Sequence, residues 1–295
     1  DTDPAWGFIA DATVQLRDGE SVLYGFDNHT TLDQYELILD TADLGVGIHV
    51  LSVYANQENY TASLQGITLT IDERDTEISV SLDRSLRTSI GLSYGELLNI
   101  TAVYNDTDPA WGFIADATVQ LRDGETVLYG FDNHTALDQY NLTIDTAELG
   151  VGIHVLSVYA KQDNYSTALA SITLTITERD TEMTVFLNQS IGTSIEFPYG
   201  EILNITVIYE DSEPAWGFIA DATVQLRDGE TVLYTFDNHT TLDQYNLTFN
   251  TAELGVGFYV LTVYAKQENY TASLTSITIT IRSEERRVGK ECIVK

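Results

Sequence analysis

Apolar and polar residues alternate with period two along most of the chain, and no segment sustains the 3.6-residue recurrence of a helix. Leu203, Ile205, Val207 and Tyr209 fall on one face of a strand, with Asn204, Thr206 and Ile208 on the other. Ala222, Val224 and Leu226 alternate with Thr223, Gln225 and Arg227. Asp228-Gly229 then signals a tight hairpin into Val232-Leu233-Tyr234. Tyr245, Leu247 and Phe249 alternate with Asn246, Thr248 and Asn250, and Tyr259, Leu261, Val263 and Ala265 with Val260, Thr262 and Tyr264. Ile277, Ile279 and Ile281 mark the last strand, and Ile78, Val80 and Leu82 show the form of the first. About seven short strands, each with one apolar face, predict an all-β sandwich of two antiparallel sheets.

The unit recurs. Residues 4–20, from Pro4 to Glu20, return letter for letter at 109–125 and 214–230, a period of 105 residues. That is too long for the small units of solenoids and is the size of one independently folding domain. The acidic, non-alternating segments Asp72-Glu73-Arg74-Asp75 and Thr177-Glu178-Arg179-Asp180 read as linkers. Complete domains are therefore expected at 74–178 and 179–281. Residues 1–73 form a copy that lacks its first two strands, so its inner face should lie open unless a neighbour lends strands. A chain that starts inside a repeat is expected to be part of a longer one. At Arg282 the repeat breaks. Residues 282–295 carry Arg282, Arg286, Arg287, Lys290 and Lys295 together with Cys292, and are expected to be disordered and foreign to the fold.

Charge narrows the partners. Forty-five acids against 14 Lys and Arg give a net charge of −31, the opposite of what phosphate binding needs, so nucleic acid is excluded as a partner. A solvated acidic surface is the simplest reading, with cation binding or life at high salt as alternatives. The single cysteine rules out an intrachain disulfide. No apolar run approaches the ~20 residues of a membrane helix. Phosphate-binding glycine loops, metal-spaced Cys/His clusters and a Gly-x-Ser-x-Gly elbow are all missing, which points away from an enzyme.

Leu254-Gly255-Val256-Gly257-Phe258-Tyr259 fits Leu-x-x-Gly-x-Tyr, the tyrosine corner of Greek-key sandwiches, where the hydroxyl ties a strand's start to nearby backbone. His49 and His154 stand at this position in the other copies and can donate in its place. With the strands Leu-Asn-Ile-Thr-Val and Ala-Thr-Val-Gln-Leu, the motif resembles the tandem prokaryotic immunoglobulin-like domains of invasin and intimin type, over nearly the whole of each repeat. The resemblance implies an extracellular or cell-surface location, and a stalk, surface-layer or adhesion role with surface glycans or other surface proteins as partners.

Three kinds of candidate site follow. Asn28, Asn59, Asn99, Asn105, Asn133, Asn141, Asn164, Asn188, Asn204, Asn238, Asn246 and Asn269 all sit in Asn-x-Ser/Thr, the acceptor sequence for N-glycans. Of these, Asn99, Asn141, Asn204 and Asn246 are predicted on outward strand faces. Trp6, Trp111 and Trp216, in the repeated Pro-Ala-Trp-Gly-Phe loop, read either as exposed aromatics for stacking on a ligand or as lids folded back on the sandwich. Asp106, Asp108, Glu178, Asp180 and Glu182, near the domain ends, are candidate calcium ligands, although their spacing matches no defined calcium loop. The resulting expectation is a non-catalytic spacer or stalk. The alternatives are a glycan- or receptor-binding module and accessory domains of a large surface hydrolase.

Overall fold

The computed structural model describes residues 7–108, 110–213 and 217–283. It divides into two compact units: Asp1–Leu86 with Ile100–Leu142 and Leu156–Ser171, and Arg87–Asn99 with Thr143–Val155 and Ile172–Lys295. The described residues contain strands and five short 3₁₀ turns but no α-helix.

In the second unit the third repeat forms a closed sandwich. Its front sheet runs Thr231–Thr235, Thr223–Asp228, Gly257–Lys266, Ser273–Arg282, Ser194–Pro198. Its back sheet runs Ser190–Ile191, Thr181–Leu187, Ile202–Asp211, Gln244–Asn250, Asp237–His239. Every pairing is antiparallel except the parallel edge of Ser194–Pro198 against Ser273–Arg282. The first stretch of the repeat thus starts in one sheet and crosses to the other. This strand order is that of an immunoglobulin-like sandwich.

Alternation sets the core. In the register that pairs Leu203 with Phe249 and Ile205 with Leu247, these residues point inward together. They meet Val224, Leu226, Leu261, Val263, Ile277 and Ile279 from the front sheet, all buried. A one-residue slip would turn this whole set to solvent, so the buried face fixes the pairing. Replacing the fully buried Ile277 by alanine should cost about 2–5 kcal/mol through lost contact and the cavity left behind.

The hairpin forms one residue later than its Asp-Gly signal suggests. Asp228 pairs with Thr231, so the loop residues are Gly229 and Glu230. Gly229 takes φ +56°, the left-handed value a glycine adopts at little cost at the first loop position.

The second repeat shows the same front-sheet order and a back sheet of four strands, without a counterpart of Ser190–Ile191, in which Thr76–Leu82 pairs from Thr76↔Asp106 to Leu82↔Ile100. In the first unit, the first repeat keeps a four-stranded front sheet, but its back sheet is reduced to Asp27–His29 paired with Gln34–Glu36. Its inner face is correspondingly open: Ile67 is 39% exposed, whereas Ile172 and Ile277 at the same repeat position are 0% exposed. Residues 284–295, including Cys292, lie outside the described residues.

Candidate functional site

The most elaborate polar arrangements lie where one repeat meets the next. Strand Ile202–Asp211 buries every second side chain, and that alternation carries Asp211 to the buried side at its end, 4% exposed. A carboxylate there needs a partner. Arg179, from the linker, supplies it and is itself 3% exposed. Its Nε donates to Asp211 Oδ2. Its Nη2 donates to Asp211 Oδ1 at 3.2 Å and to Glu213 Oε2 at 3.0 Å. Its Nη1 donates to the carbonyl of Tyr94, in the preceding repeat, at 3.2 Å. The bonds to Asp211 raise the Arg179 pKa further against the opposing effect of burial, so the guanidinium stays charged.

The backbone is tied as well. Arg179 N–H donates to Asn269 O at 3.0 Å, and Thr271 N–H donates to Arg179 O at 2.8 Å. Tyr94 N–H donates to Thr177 O at 2.9 Å. The acidic segment read as a linker is therefore bonded to structure on both sides.

In the first unit the arginine–aspartate pair recurs, and Arg74 makes its bonds within the second repeat. Arg74 Nε donates to Asp106 Oδ2, and Asp108 N–H donates to Asp106 Oδ1 at 2.8 Å. The Arg74 hydrogen bond holds the Asp106 carboxyl below the usual carboxylate range. Here the arginine side chain is 36% exposed and lies over the Trp111 ring, 4.5 Å from its centroid. Both side chains line a recess with Gly45, Val46, Ile71 and Tyr165.

Trp111 is 63% exposed, whereas Trp6 and Trp216 lie outside the described residues. Among the acids named as calcium candidates, Asp106 is engaged by Arg74, and Asp108 lies 3.7 Å from the same guanidinium. Glu178 pairs with Lys266 at 2.6 Å, the Asp180 carbonyl accepts from Ser212 N–H at 3.0 Å, and Glu182 lies exposed on the back sheet. No group of three or more His, Cys, Asp or Glu among the described residues is placed to hold a metal ion.

None of the twelve sequon asparagines is buried. Asn99, Asn141, Asn204 and Asn246 lie on the outward face of back-sheet strands, between the buried positions. Thr143 Oγ1 donates to Asn99 Oδ1 at 2.8 Å, Thr101 Oγ1 to Asn141 Oδ1 at 3.0 Å, and Thr206 Oγ1 to Asn246 Oδ1 at 2.8 Å. These bonds orient the amide through oxygen and do not use Nδ2, the atom that carries an N-glycan. In contrast, Asn133 and Asn238 spend Nδ2 on Asp116 and Asp221 at 3.0 and 3.1 Å. Asn59, Asn164, Asn188 and Asn269 adopt left-handed φ between +48° and +69° in turns. Asn28 is exposed, and Asn105 is half-buried at a strand end.

At the corner, the Tyr259 hydroxyl donates to Leu254 O and lies 3.3 Å from Gly255 O. His49 Nε2 lies 3.0 Å from Gly45 O and His154 Nε2 3.0 Å from Gly150 O, which places the proton on Nε2 in both. A second tyrosine tie escaped the sequence reading. Tyr245, fully buried, donates to Ile219 O at 2.7 Å and accepts from Ala222 N–H at 2.8 Å; Tyr140 does the same with Ile114 and Ala117. The clamp arginines were also missed. Their signal was present: two arginines 105 residues apart, each between acids, in a chain poor in bases.

No helix among the described residues is long and apolar enough to cross a membrane. No family model matches the chain, and no curated protein matches it. Solved structures of tandem β-domains are similar to it. An I-band fragment of titin is 10% identical over 93% of this chain and 89% of that one, with TM-score 0.34. The Yersinia pseudotuberculosis adhesin InvE is 16% identical at TM-score 0.33; 68% of this chain is covered, and the chain spans 58% of that structure. Cadherin domains 1–4 of protocadherin gamma B7 are 14% identical over 93% of this chain and 67% of that one, with TM-score 0.36. With identities and scores this low, the immunoglobulin-like assignment rests on the strand order and sheet pairing described above.

Proposed function

We propose that the chain is a non-catalytic repeat segment of an extracellular or cell-surface protein, with domains at 74–178 and 179–281, that acts as a stalk or spacer. The observation that carries this reading is the clamp at Arg179. A linker whose arginine is buried between Asp211 and the Tyr94 carbonyl restrains the angle between consecutive domains, which a spacer needs and a free tether does not. The arginine–aspartate pair recurs at Arg74 and Asp106, so each added copy brings its own linker arginine. Small-angle scattering tests the reading: a chain lengthened by one further copy of 74–178 should gain a constant increment in maximum dimension. No gain would refute the spacer role.

A binding role for the tryptophan loops is the second reading, favoured by the exposure of Trp111 and by the recess beside it. Trp111→Ala separates the two. Loss of binding on a glycan array at an unchanged melting temperature supports a contact, whereas a lowered melting temperature with no binding by the parent supports a packing role.

A further inference from the structure

The two sheets of a repeat differ in what they show to solvent. On the front sheet of the third repeat, Phe258 and Val260 point outward at 69% and 56% exposure, and Leu274 at 64%. Thr278 and Thr280 stand opposite Val260 and Phe258, and Leu274 stands opposite Tyr264. Arg227 covers the Tyr264 ring at 3.7 Å, whereas Phe258 and Val260 stay exposed among the described residues. In the first repeat Ile48, Val50 and Leu64 hold the same places at 72%, 71% and 67% exposure, and in the second repeat Ile153 and Val155 are 73% and 63% exposed. Alternation alone would put polar residues here; three copies instead keep large apolar ones. An uncovered apolar patch of this kind marks an interaction surface.

Charge and sequons say what kind of partner. The acids on the front-sheet strands of the third repeat are Asp228, at the hairpin end, and Glu196, which is paired with Arg282. The back-sheet strands carry Glu182, Glu210 and Asp237 with no Lys or Arg beside them, Asp211 being buried against Arg179, and they also carry Asn204, Asn238 and Asn246. No strand of any front sheet holds a sequon. Copies of a chain with net charge −31 repel one another wherever their acids meet. The front face is the place where they do not, and it is free of the bulk that glycans on the back would add.

We propose that the front sheet is a lateral self-association face, on which a second copy of this chain packs its own front sheet. The contact is sheet on sheet, as inside the sandwich, and isologous, so Phe258 and Val260 meet the same stripe of the partner. This inference does not depend on the clamps at Arg74 and Arg179.

Sedimentation of the full 295-residue chain tests it. The parent should sediment as a concentration-dependent dimer or larger species that raised salt strengthens by screening the repulsion between the acidic chains. Val50→Glu/Val155→Glu/Val260→Glu, which places charge at the centre of each face, should be monomeric while keeping a cooperative melting transition that no longer depends on protein concentration. Thr248→Glu, on the outward back sheet, should associate like the parent. A monomeric parent, or a triple variant that associates as the parent does, would overturn the proposal. So would a monomeric parent that instead floats with phosphatidylcholine vesicles, which would assign the face to lipid.

Discussion

Arg179 Nη1 and the carbonyl oxygen of Tyr94 meet at 3.2 Å while the same guanidinium is held by Asp211. One side chain therefore answers to two consecutive repeats. Removing it leaves the Asp211 carboxylate buried without its cation, a loss of about 3–5 kcal/mol. Arg179→Met should accelerate hydrogen exchange along Ile202–Asp211 while leaving exchange in the first repeat unchanged. Arg179→Lys should recover only part of the loss, because an ammonium cannot span Asp211, Glu213 and Tyr94 as the planar fork does.

Acid should weaken the Arg74–Asp106 pair at the start of the second repeat. Arg74 depresses the Asp106 pKa from its ordinary value of 3.8, so the unfolded state binds the proton more readily than the folded one. The stabilisation is complete above the unfolded value and is lost as pH falls through the lower folded one. Unfolding followed from neutral pH down through the carboxylate range should show this decline, and Asp106→Asn should flatten it.

Tyr245→Phe removes a hydroxyl that serves Ile219 O and Ala222 N–H together, leaving both backbone groups without that partner in a dry site. The expected cost is about 1–3 kcal/mol. Tyr259→Phe, at a partly solvated corner, should cost about 1 kcal/mol. Denaturant titration of the full chain reads both, and an equal effect of the two would contradict the difference in burial.

Glycan occupancy should follow the amide geometry. Asn99, Asn141 and Asn246 present their amides through oxygen, whereas Asn133 and Asn238 have Nδ2 engaged by aspartates. Peptide mapping of native material should find higher occupancy at the former group. Bare asparagines at all twelve sites would remove the glycoprotein reading.

Much of the sandwich was legible because period-two alternation and burial are the same fact seen twice: Leu203, Ile205, Val207 and Tyr209 are 0% exposed on the face their spacing assigns. The crossing of the first strand between sheets was not legible. Ser190–Ile191 and Ser194–Pro198 are too short for alternation to show, so about seven predicted strands become ten segments in the third repeat. The outward apolar stripe was hidden for a related reason, since Val260 sits where alternation calls for a polar residue and reads as noise until its exposure is seen. Arg74 and Arg179 were absorbed into segments described as acidic. Which carboxylate a linker arginine meets depends on how the strand ending at Asp211 is folded against it, and local sequence does not carry that.

The restraint at the repeat junction is tested most directly by a distance measurement across it. Spin labels at Leu97 and Glu230, in a chain with Cys292→Ser, report on the two sides of the Arg179 clamp within the second unit. Pulsed dipolar spectroscopy should give one narrow distance distribution that broadens on Arg179→Met. A distribution already broad in the parent, and unchanged by the substitution, would contradict the spacer account.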